Sequence, residues 1–222
     1  MNHRIAKIIS FVGHPLWVLS YILLFLLLLN PFAFGIRDIS DSRAMILLVS
    51  VFMTSFLIPG FGVALMKPLG LISSLEMRDK QERIGPYIVS GVFYLWLFKN
   101  LLSGGIVPVL YTKFVLGATI GLFLAFFINI FTKISAHAVG MGGFVAMLLV
   151  TQFSWRSAML ALPIGQSALV LSPVVVVMLG CLLAGLVGTA RLALDAHTPA
   201  DLYRGYAAGF AAVLLANIPG LL

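Results

Sequence analysis

The chain has 222 residues, 61% of them hydrophobic and only 9% charged. A soluble domain is about 45–50% apolar and about 25% charged, so this composition excludes a water-soluble globule and points to lipid as the solvent. The excess of 14 Lys+Arg over 7 Asp+Glu suits anionic lipid head groups better than nucleic acid, and the one cysteine, Cys181, permits no internal disulfide.

Taken in chain order, the uncharged runs predict a polytopic, all-α bundle of about six to seven transmembrane helices in one domain. Arg4 and Lys7 precede a first span at Phe11–Asn30. This stretch resembles a signal peptide but lacks a small-residue cleavage site and is too long. His14-Pro15 near its start reads as a helix-entry proline beside an interfacial histidine. After a polar connection, Gly35–Arg43, comes a second span, Ala44–Met66, with a kink expected at Pro59-Gly60-Phe61-Gly62.

Lys67–Pro86 is the longest polar stretch and holds Glu76, Arg78, Asp79, Lys80, Glu82 and Arg83. Taken alone, it reads as a solvated loop of mixed charge. Tyr87–Val107 and Val109–Phe131 are the third and fourth spans, turned by Gly104-Gly105 and Pro108. Thr132–His137 leads into a fifth, at Ala138–Phe153, where Gly140, Gly142 and Gly143 allow neighbouring helices to approach closely. Ser157–Ala190 carries no charge and is too long for one span. The sixth is therefore expected at about Ala168–Thr189, with Ser154–Gln166 as an interfacial or re-entrant connection. A last span is expected at about Leu202–Pro219.

Against this background, Thr189–Gly209 stands out. It places Arg191, Asp195, His197, Asp201 and Arg204 beside an apolar run, and ionisable groups at a membrane span are functional by default. An arginine can hold a phosphate, a histidine can attack it, and a carboxylate can orient that histidine. Thr198-Pro199-Ala200-Asp201 also reads as a helix start, with a threonine cap, a proline in the first turn and a carboxylate at the third helical position. One carboxylate has oxygens for both tasks. Similarly, Ser135 reads either as a helix cap or as a phosphate ligand.

The clusters Arg78–Arg83, Lys133–His137 and Arg191–Asp201 are separated by two spans each, so helix count returns all three to one membrane face. Together they offer cations for phosphate oxygens, a nucleophile and an acid, which is what phosphoryl transfer needs. No cluster has metal-ligand spacing, so no cofactor is expected.

These residues give the chain a resemblance to the type 2 phosphatidic acid phosphatase family, related to the vanadium haloperoxidases. The family motifs are Lys-x6-Arg-Pro, Pro-Ser-Gly-His and Ser-Arg-x5-His-x3-Asp. Arg191, His197 and Asp201 meet the third, with Ala190 in place of its serine. Ser135 and His137 meet part of the second, with Ile134 and Ala136 replacing its proline and glycine. The first departs most: Arg83 is followed by Pro86 rather than an adjacent proline, and Glu76 stands where the lysine would fall, leaving Lys80 or Arg78 to substitute. The resemblance covers roughly Arg78–Gly209, and the first two spans carry no motif.

The resemblance implies a metal-independent lipid phosphate phosphatase. His197 would be the nucleophile, Asp201 its orienting group and His137 the general acid. Arg83, Lys80, Arg78, Arg191 and Ser135 would bind phosphate. The expected partners are the bilayer and a lipid phosphate, and the expected setting is a bacterial inner membrane. A phosphotransferase of the same family and an anionic-solute transporter are the competing readings. Orientation stays open. Arg4, Lys7, Lys67, Arg78, Lys80, Arg83, Lys133, Arg191 and Arg204 fall on the motif-bearing face, against Arg37, Arg43, Lys99, Lys113 and Arg156 on the other. Five of the former belong to the expected site itself, so the positive-inside rule does not decide the matter.

Overall fold

The structure is a computed structural model that describes residues 1–77, 79–156, 159–164 and 167–222. It is predominantly helical, and five of its helical stretches are long and apolar enough to cross a membrane: His3–Leu29, Ser42–Met66, Val109–Phe131, Ala136–Ser154 and Pro173–Ala193. Two further long helices, Ile84–Gly104 and Pro199–Ala216, are more polar. The first contains Lys99 and Asn100, and the second opens on Asp201 and Arg204.

The first stretch is broken. Helix α1 (His3–Val12) stops at Gly13, a 3-10 turn spans Pro15–Trp17, and α2 (Val18–Leu29) resumes the climb. His14 caps that turn: its Nδ1 accepts from the Leu16 amide at 3.4 Å. Proline at the first position of the turn is the expected entry signal. It lies in the middle of the helical stretch rather than at its start, because the helix already begins at His3. In α2, Leu19, Ile22, Leu23, Leu26 and Leu27 are all fully buried, which makes it the bundle's inner helix.

The second stretch bends through a π-helical segment, Met53–Leu57, between α3 (Ser42–Phe52) and α4 (Ile58–Met66). Pro59 is the second residue of α4 and cannot donate a backbone hydrogen bond, so the wider turn falls just before it. After the polar loop come α5 (Ile84–Gly104), α6 (Val109–Phe131) and α7 (Ala136–Ser154), close to the expected spans.

The region after α7 departs from the all-α expectation. Strands β1 (Leu160–Ile164) and β2 (Ser167–Leu171) form an antiparallel hairpin, with Leu160 opposite Leu171. Helix α8 then runs from Pro173 to Ala193 rather than from Ala168 to Thr189. Local capping explains the shift. Ser172 accepts from the Val175 amide at 3.4 Å, and Pro173 occupies the first helical position, so this pair outranks the uniform hydropathy as a start signal. Along α8, Met178, Leu182 and Leu186 are exposed on one face, as a lipid-facing stripe requires. Gly180, Ala184, Val187 and Gly188 are buried inside the bundle. Finally, α9 (Pro199–Ala216) packs along α7.

The α7–α9 contact depends on missing side chains. A Cβ on Gly209 would run into the Val139 carbonyl, one on Gly142 into the Tyr206 backbone, and one on Gly205 into Ala138 and the Ser135 carbonyl. Small residues at such a crossing let two backbones approach closely. Gly140 plays the same part against Pro15.

Candidate active site

The polar clusters of the loop before α5, the start of α7 and the α8–α9 connection meet at one end of the bundle. Direct hydrogen bonds stitch them together. Arg83 donates from Nη1 to the Ile134 carbonyl at 2.9 Å and from Nε to the Met77 carbonyl at 2.9 Å. The Ser135 amide donates to the Asp201 carbonyl at 3.3 Å, joining the N-termini of α7 and α9. Arg204 Nη1 reaches Thr132 Oγ1 at 2.8 Å, the Lys133 carbonyl at 3.1 Å and Asp201 Oδ1 at 3.4 Å.

The connection between α8 and α9 is built by its caps. At the end of α8, the Ala196 amide donates to the Arg191 carbonyl and the Asp195 amide to the Leu192 carbonyl. This is a Schellman closure with Asp195 in the left-handed region at φ 50°. At the start of α9, the Thr198 amide donates to Asp201 Oδ2 at 3.0 Å, and the Asp201 amide donates to Thr198 Oγ1 at 3.3 Å. This reciprocal capping box fixes Asp201. His197 is left between the two caps.

His197 and Asp201 are both buried, and Nδ1 of the histidine stands 3.6 Å from Asp201 Oδ2. Asp201 thus faces the imidazole with the same oxygen that caps the helix. Nδ1 has no closer polar partner among the described residues. Contacts of this kind are often long before substrate tightens them. With Nδ1 turned to the carboxylate, Nε2 is the nitrogen available for attack. Burial, followed by the positive charges of Arg83, Arg191 and Lys133, pushes the His197 pKa down to about 3, against the opposing pull of Asp201. The ring is therefore neutral at physiological pH and carries a usable lone pair.

That depression has a stability consequence. The unfolded chain takes up the His197 proton near the ordinary value of 6.5, and the folded chain does so only near 3. Stability is therefore lost as pH falls below about 6.5, and the loss continues until about pH 3. At pH 5 the cost is about 1–2 kcal/mol. Thermal unfolding in detergent at pH 7 and pH 5 is expected to show a larger drop for the wild type than for His197→Gln. Equal drops would refute the assigned shift.

His137 lies in the first turn of α7. Its Nε2 is 3.1 Å from the Ser10 carbonyl and 3.3 Å from Ser10 Oγ. A carbonyl only accepts, so Nε2 carries the proton. Arg191 Nη1 donates to the same Ser10 hydroxyl at 2.7 Å. His14 packs edge-on against His137, with ring centroids 5.1 Å apart.

Ser135 is fully buried and caps α7, its Oγ accepting from the Ala138 amide at 3.4 Å. Lys80 is turned elsewhere. Its Nζ donates to the Ile130 and Phe131 carbonyls at 2.9 and 3.4 Å, closing the C-terminus of α6 where a cation is favoured. Arg78 lies outside the described residues. Ser10, His14 and Arg204 are site neighbours that motif reading did not select. Of these, His14 stood out in the sequence as a polar residue next to a proline within an apolar run, and Arg204 as one of the charges of Thr189–Gly209; Ser10 did not.

The arrangement gathers a buried His–Asp pair, His137, the guanidinium groups of Arg83, Arg191 and Arg204, and the N-termini of two long helices. Backbone amides and the helix dipole at such termini favour an anion. Among the described residues, no group of three or more His, Cys, Asp or Glu side chains could hold a metal ion. Compared with known proteins, the chain matches no family model, no curated protein and no solved structure.

Proposed function

We propose that this multi-pass membrane protein is a lipid phosphate phosphatase of the type 2 phosphatidic acid phosphatase kind, with six to seven spans in a bacterial cell membrane. The observation that carries this reading is the buried His197–Asp201 pair at 3.6 Å, held neutral partly by the charges of Arg83 and Arg191. A neutral imidazole next to cations that can bind phosphate oxygens is a poised phosphoryl acceptor.

In this reading Arg83 and Arg191 bind the phosphate oxygens, with Ser135 at the α7 terminus. His197 Nε2 gives its lone pair to phosphorus as the bond to the lipid oxygen breaks. His137, doubly protonated once the phosphate dianion sits beside it, gives the departing oxygen its Nε2 proton and returns to the neutral ring, exchanging the Ser10 carbonyl for that oxygen as it does so. The phosphohistidine is cationic, and Asp201 stabilises it through the Nδ1 proton. Water then attacks phosphorus and passes its proton to His137. This releases inorganic phosphate and restores neutral His197.

Purified protein in mixed micelles is expected to release phosphate from a lipid phosphate with EDTA present and to be inhibited by vanadate, which imitates pentacoordinate phosphorus. Loss of activity on chelation, restored by Mg²⁺, would overturn the reading. Adding a lipid alcohol and analysing the products tells hydrolysis from transfer.

A further inference from the structure

Two groups assigned to chemistry, Arg191 and His137, lie far apart in sequence and meet on one residue of the N-terminal helix. Ser10 is 6% exposed. Its hydroxyl accepts from Arg191 Nη1 at 2.7 Å and lies 3.3 Å from His137 Nε2, and its carbonyl lies 3.1 Å from that nitrogen. Among the described residues, Arg191 Nε is buried without a hydrogen-bond partner, and the guanidinium is held through Nη1 by the Ser10 hydroxyl, with the Glu76 charge acting on it as well. The approach of α1 to α8 is arranged for this contact. A Cβ on Gly13 would strike Val187, one turn before Arg191. His14, one residue further on, braces the His137 ring from the side, and Phe56 from the π-helical segment backs His14 with ring centroids 6.4 Å apart.

We infer that Ser10 is a positioning residue of this site: it aims the Arg191 guanidinium at the substrate phosphate and holds the His137 ring, making the first helix a wall of the active centre. This inference rests on the phosphatase reading above. An unfixed arginine swings among many rotamers, and ordering it on binding weakens the interaction it makes. A hydroxyl on Nη1 sets the rotamer beforehand and leaves Nη2 to turn toward an anion. Because His137 also leans on the main-chain carbonyl, loss of the side-chain hydroxyl alone falls mainly on Arg191.

The test measures vanadate binding by titration calorimetry, which needs no turnover, together with kcat/KM on a lipid phosphate. Ser10→Ala is expected to weaken vanadate binding and kcat/KM together, by about 10- to 100-fold, with the thermal midpoint little changed. Ser10→Thr, which keeps the hydroxyl, is expected to recover most of both. Ser10→Ala added to Arg191→Ala is expected to cost little more than Arg191→Ala alone, because the two act as one unit. Wild-type vanadate affinity in Ser10→Ala, or losses that multiply in the double variant, would overturn the role of Ser10 while leaving the phosphatase reading standing. A wild type that binds no vanadate would overturn that reading and this inference with it. If Ser10→Ala does not fold, Ser10→Cys keeps the volume and weakens the acceptor, and full vanadate affinity there is equally fatal.

Discussion

His197→Ala is expected to abolish phosphate release, by at least about 10⁴-fold, while the protein still inserts and elutes as the wild type does. The ring is the only side chain in the scheme that bonds to phosphorus, and removing a nucleophile from a unit of cooperating groups costs nearly all of the unit's contribution. The apolar spans do not depend on it. The direct measurement is an alkaline quench with labelled substrate, since phosphohistidine is lost in acid. Label is expected on the wild type and not on His197→Ala. Near-normal turnover in the variant would end the nucleophile assignment. Asp201→Asn provides an internal control. It removes the charge that favours the phosphohistidine cation and replaces one capping oxygen with an amide. A loss of up to about 10⁴-fold is expected on the pattern of other orienting carboxylates, with some loss of helix stability beside it.

The second large effect is structural. Gly209→Ala places a methyl group where the Val139 carbonyl stands, and backbone on both sides leaves no flexible side chain to yield. Helices α7 and α9 must move apart. Overpacking of this kind costs typically about 1–3 kcal/mol, so the thermal midpoint in detergent is expected to fall by about 5 °C or more. Activity is expected to fall with it, because α7 carries Ser135 and His137 and α9 carries Asp201. Gly185→Ala is the matched comparison. Nothing lies within 4 Å of its Cβ position, and alanine is the better helix former by about 1 kcal/mol, so its midpoint is expected to hold or rise. A Gly209→Ala protein as stable as Gly185→Ala would show that the close crossing is not needed.

Hydropathy alone located most of the helices, because a run of apolar residues must either span lipid or be buried. It failed where hydropathy is uniform. From Ser157 to Ala190 no charge interrupts the chain, yet among the described residues two paired strands, Leu160–Ile164 and Ser167–Leu171, stand between α7 and α8. There the Ser172-Pro173 cap, a short-range hydrogen-bond signal, set the boundary. The motif spacing likewise made Arg191, His197 and Asp201 legible together, because the end of α8, the His197 connection and the capping box of α9 are all local in sequence.

By itself, then, the sequence determined the solvent, the helical character and the identity of the His197–Asp201 pair, since composition, run length and capping act within a few residues. The tertiary structure alone decided which groups share a site. Ser10 touches His137 and Arg191 from 127 and 181 residues away, and no local pattern marks the one serine of α1 as their partner. It also decided that Lys80 closes the end of α6, because a lysine goes to the nearest unsatisfied carbonyls and only the packed bundle shows where those are. Gly13, Gly142, Gly205 and Gly209 set these distances: each removes a side chain at a crossing, and which glycines do so depends on the helix that packs opposite.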